Sequence, residues 1–149
     1  MVLLILTILL IMGEGVCNAI MDTLDHHSGK SIFPKTLWWN SSQGWRNKYI
    51  DRDSTKGRVQ WRWVSWITFG KFSMNKPVQL TDAWHFFKML GIICWMTSTV
   101  ISPIVLILFL KYGMFDDVML YGIMFGVLTV LGLIRNNTFT LFYKKLLLK

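Results

Sequence analysis

Four polar residues recur at intervals of four in an otherwise apolar stretch: Glu14, Asn18, Asp22 and His26. On a helix each such step advances about 40° past a full turn, so the four form one curling stripe. Further on, Asp82 and His85 stand three apart and share a helix face. Carboxylate oxygens and imidazole nitrogens are donors that zinc and iron accept. Asp22, His26, Asp82 and His85 are therefore a candidate metal set, provided two helices bring them level. Glu14 lies about 18 Å of helical rise from His26, too far to share one ion. Glu14 and Asn18 then belong to a deeper site, a proton path or the wall of the same cavity. A metal ion there would polarise a substrate oxygen or activate water. Arg46, Lys48, Arg58 and Arg62 would hold a phosphate or other anion beside it.

The elements that must position these residues are apolar and long. Of 149 residues, 53% are hydrophobic, gathered into blocks rather than spread along an amphipathic period. About 20 helical residues cross a hydrocarbon layer of about 30 Å, and three blocks approach that length. The first runs from residue 1 to about 21, the second from about 84 to 110, and the third from about 118 to 134. The chain is expected to be a single all-α membrane domain of three transmembrane helices. A loop spans 28–81 and an interfacial tail spans 138–149. The first block lacks a basic leader and a small-residue cleavage site, so it is read as retained. Pro103 is expected to kink the second helix. Gly122 and Gly126, at GxxxG spacing, would let another helix approach the third. Cys17 and Cys94 lie inside apolar blocks with no CxxC pattern, which speaks against a disulfide framework or a zinc ribbon.

Topology makes the metal hypothesis geometrically reasonable. The end of the first helix and the start of the second must lie on the same side of the bilayer, so Asp22 and His26 fall near the depth of Asp82 and His85. Helix-end electrostatics offers a competing account. Thr81 is a plausible N-cap, Asp82 suits the positive end of a helix dipole, and His26 with His27 suits the negative end. That account leaves out Glu14, which lies inside the first block with no cation near it in sequence.

Charge gives the orientation. Ten Lys and Arg fall between Ser28 and Thr81 against Asp51 and Asp53, and Arg135, Lys144, Lys145 and Lys149 follow the third block. The short connection has Lys111 opposed by Asp116 and Asp117. The positive-inside bias places the loop and the C-terminus in the cytoplasm and the N-terminus outside, in keeping with a bacterial inner membrane. Six of the eight tryptophans lie in the loop, interleaved with cations as in GWRNKY and RVQWRWVSWITF. Indole rings favour the headgroup level and cations favour anionic lipid. The same interleaving occurs in single-strand nucleic-acid binders, but beside three spans the membrane surface is the expected partner and nucleic acid is not. Periodicity leaves RVQWRWVSWITF open between strand and helix. Sequons at Asn40 and Asn136 fall on the expected cytoplasmic side and carry no weight.

At GVCNAIMDTLDHH, LWWNSSQGWRNKY and LTDAWHFFKML the chain resembles a family of small uncharacterised bacterial or phage-associated integral membrane proteins. The resemblance implies a membrane setting and draws attention to Asp22, Asn40, Trp45, Asn47, Lys48, Asp82, Trp84 and His85. It implies no activity.

Two functions compete. One is a non-enzymatic subunit of a larger membrane assembly or homo-oligomer, suggested by small size, little extramembrane mass and a loop suited to docking. The other is a zinc or iron enzyme acting on a lipid or headgroup. A pore or transporter ranks behind both, because three spans are too few for inverted repeats. The accessory role is the expectation carried forward.

Overall fold

The computed structural model describes residues 2–71, 73–111 and 117–148. Among these the chain is helical, with three isolated bridges and no strand. The elements in chain order are α1 (Val2–His26), the short helices α2 (Ser41–Gly44) and α3 (Arg62–Ile67), then α4 (Ala83–Lys111) and α5 (Asp117–Leu141). Asp116 of the short connection and the terminal Lys149 lie outside the described residues.

α1, α4 and α5 are long and apolar enough to cross a membrane, with mean hydropathies of 2.2, 1.5 and 1.2 over their apolar stretches. Two boundaries differ from the sequence expectation. α1 continues through Asp22 to His26, because polar residues at helical spacing do not stop a helix. α5 continues past Ile134 to Leu141 and then widens into a π turn over Phe142–Leu146. The first cation, Arg135, had marked the end of the apolar run, but α1 supplies it with a partner. Residues 138–141 thus continue α5, and 142–146 form the π turn that follows it. Ile32 N–H donates to the carbonyl of Leu147 at 3.0 Å, and Leu147 is buried.

Small residues decide how the helices pack. A Cβ on Gly13 would lie 3.3 Å from Cys94 Sγ, and one on Gly91 would lie 3.3 Å from Cys17 Cβ. These four residues lie on the α1–α4 seam. A Cβ on Gly15 would lie 2.8 Å from the Arg135 carbonyl oxygen, so α5 approaches α1 as only glycine permits. By contrast, Gly122 and Gly126 have open space around them among the described residues. α4 and α5 each pack along α1 and, among the described residues, scarcely against each other.

The buried core sits at one end of the bundle, where Ala19, Ile20, Leu24, Ala83 and Leu147 meet. Loop aromatics close over it: Phe33 stacks on Trp39 at 4.4 Å, and Trp38 meets Trp39 edge-on at 4.8 Å. Loop residues 28–71 and 73–81 thus fold into a lobe on the helix ends. The stretch whose period was ambiguous divides in two. Tyr49 bridges Arg58 and Gln60 bridges Asn75 in extended backbone, and helix α3 begins at Arg62.

Candidate functional site

The α4 N-terminus explains Asp82. Its Oδ1 accepts the backbone N–H of His85 at 3.0 Å, three residues on, and α4 starts at Ala83. Asp82 is therefore the N-cap, one residue after the Thr81 that helix-end rules suggested. Thr81 instead donates its hydroxyl to the Val78 carbonyl at 2.6 Å. The other Asp82 oxygen accepts Nδ1–H of His85 at 2.7 Å, so the carboxylate holds both the backbone and the ring of the same residue. The Asp82 side chain is only 2% exposed.

The loop motif fastens both helix ends. Ser41 donates its hydroxyl to the Leu24 carbonyl at 2.9 Å, near the C-terminus of α1. The Trp38 carbonyl accepts the first free N–H of α4, that of Ala83, at 2.8 Å. The Asn47 amide donates to the Thr81 carbonyl at 3.0 Å. Gly44 closes α2 against the cap: a Cβ there would lie 2.6 Å from Asp82 Cβ. These contacts satisfy helix-end groups that would otherwise be orphaned. A direct bridge joins α1 and α4, but through other residues than expected. Trp84 Nε1–H donates to Asp25 Oδ2 at 2.8 Å.

The expected metal set is accordingly not assembled. Asp82 and His85 pair with each other as a cap, Asp22 is half-buried and His26 is exposed. Among the described residues no group of three or more His, Cys, Asp or Glu side chains is placed to hold a metal ion. Asp25, three residues beyond Asp22, is the carboxylate that meets α4, through Trp84.

The deeper stripe gains a partner that sequence spacing did not suggest. Arg135 Nε lies 2.9 Å from Glu14 Oε1, and Asn18 Nδ2 donates to the same oxygen at 3.4 Å. The Glu14 side chain is 11% exposed and that of Arg135 42%. An unpaired carboxylate inside a span is costly, and that cost was the one signal pointing to a cation on another helix.

The four expected anion-holding cations divide. Arg46 lies over the Trp45 ring at 5.4 Å, and Lys48 lies over Tyr49 at 5.2 Å. Arg58 faces Tyr49 across the bridge, while Arg62 opens α3 and is exposed.

Comparison of the chain with protein-family models, with curated proteins and with solved structures finds no match.

Proposed function

We propose that this chain is a non-enzymatic accessory subunit of the membrane, a three-helix anchor that holds a tryptophan-rich basic lobe at the headgroup layer beside a larger assembly. The observation that carries the proposal is the tip of the lobe. Trp66 is 81% exposed and Phe69 91%, with Ile67 and Met74 also exposed. Phe69 is held at φ 50, a strained conformation for a bulky residue, and its ring is turned away from any core. A lobe folded for water alone has no use for such a tip. Arg62, Lys71 and Lys76 flank it in sequence, and no acidic residue lies between Ser54 and Thr81. Aromatic rings with cations are the composition that settles at an anionic headgroup layer. Arg46, Lys48 and Arg58 add charge on the same lobe. On this reading the lobe lies on the side rich in Lys and Arg, the cytoplasmic side.

The assembly half of the proposal is supported by what the chain leaves open. Only 17% of the apolar stretch of α4 and 11% of that of α5 is buried within the chain, against 39% for α1. Asp82 and His85, expected to do chemistry, are spent on capping α4.

Two measurements test the proposal. Vesicles of phosphatidylcholine with and without phosphatidylglycerol, each with a headgroup-level quencher, should quench Trp66 emission more strongly when the anionic lipid is present. Emission unchanged by the quencher removes the headgroup role. Gentle detergent extraction from the native membrane should yield the chain in a stoichiometric complex, and a monodisperse single chain removes the assembly role.

A further inference from the structure

The splay of α4 and α5 opens a cleft of about 340 Å³ along α1, within the range of small-ligand sites. Its position follows from the packing. At 100° per residue, Gly13 and Cys17 face α4 and Gly15 faces α5. Ile11, Glu14 and Asn18 fall on the arc between, and Ile11 and Glu14 form the floor.

The walls are apolar in effect. Trp95 on α4 and Val127, Leu128 and Leu131 on α5 line them. Ser98, Thr99 and Ser102 also face the cleft, but each donates its hydroxyl to a carbonyl of its own helix at 2.7–2.8 Å. They offer a ligand no free donor. From Met124 to Arg135 the α5 wall is about 16 Å long by helical rise. That matches one leaflet of hydrocarbon, roughly 15 Å, or half of a 30 Å layer.

The end nearer the lobe is charged. Glu14 engages Nε of Arg135, and the rest of that side chain stays 42% exposed. A guanidinium has five N–H donors, so oxyanion-binding capacity remains. A smaller recess adjoins this end, sharing Glu14 and Trp95 and adding Lys88. Two cations against one carboxylate leave a net positive charge where the apolar cleft ends.

We propose that this cleft binds one acyl chain of an amphiphile along its apolar wall, with a phosphate or carboxylate head held by Arg135 beside the recess that Lys88 lines. The site depends on the helices lying in a bilayer and not on any assembly, so its failure would leave the accessory role standing. The test is native mass spectrometry of the detergent-purified full chain after delipidation, offered phosphatidic acid, oleate or phosphatidylcholine.

One adduct of phosphatidic acid, of oleate or of both is expected, with phosphatidylcholine retained about tenfold less, the scale of one charge-assisted hydrogen bond. Phosphatidic acid alone identifies a phosphate head and oleate alone a carboxylate. Leu131→Trp fills the cleft while leaving the Glu14–Arg135 pair intact, and should abolish the adduct. Arg135→Gln should remove the preference for anionic heads. Equal retention of phosphatidylcholine by the unaltered chain, no adduct with either anion, or full retention by Leu131→Trp would overturn the site.

Discussion

The two ends of the helix bundle solve opposite problems. At the lobe, named contacts from the loop satisfy helix-end groups: Ser41 on Leu24, Trp38 on Ala83, Asn47 on Thr81, and Asp82 capping α4. Away from the lobe, α4 and α5 part across α1 and leave the cleft, lined by hydroxyls that bond only to their own helices. The closed end uses polar groups to fix geometry. The open half keeps them out of the way. Between the two sits the pair Glu14–Arg135, which joins α1 to α5 at the level where the helices begin to part.

Breaking that pair should have the largest effect. Arg135→Leu leaves a nearly buried carboxylate without its cation and should cost about 3 kcal/mol, read as a shift in the detergent unfolding curve. Combining it with Glu14→Gln should recover much of the loss, because no charge is then stranded. Next comes the closed end. Gly44→Ala pushes a methyl onto the Asp82 side chain and should cost about 2 kcal/mol in the same assay. Gly122→Ala, with open space around it, should be neutral or slightly stabilising, since alanine is the better helix former. An equal loss at both glycines would erase the contrast between the two regions. Asp82→Ala removes the α4 cap and should cost about 1 kcal/mol, whereas Asp82→Asn should keep most of it.

The smallest effect lies in the lobe. The backbone N–H of Thr55, and then its hydroxyl, hold the Asp53 carboxyl below the usual carboxylate range. A depressed carboxylate contributes stability above its ordinary pKa and loses it as pH falls through the lowered one. An NMR titration should show Asp53 protonating at lower pH than an unpaired aspartate, and Thr55→Ala, which keeps the backbone N–H, should undo only the smaller part of that shift.

The three long helices were legible because apolar length is a local property. So was the sharing of one arc by Glu14 and Asn18, and of one helix face by Asp82 and His85. What those residues do was less legible, because it depends on which neighbour arrives. Asp82 read as a ligand became a cap, and the carboxylate across from Trp84 is Asp25 rather than Asp22. Arg135 ended the apolar run in sequence, yet α5 passes through it because the charge is paired. The lobe had no period to read. Its shape comes from aromatic packing over the helix ends, and Gly44 is needed there only because α2 presses on Asp82.

The hydrogen bond from Ile32 to Leu147 also sets an order of events during synthesis. Ile32 follows the first helix, whereas Leu147 emerges after the third, so the aromatic cap over α1 is left unfinished until all three long helices have been translated. A truncated product therefore displays a greasy, unsealed surface at the bilayer edge, the kind of feature that chaperones and membrane proteases recognise.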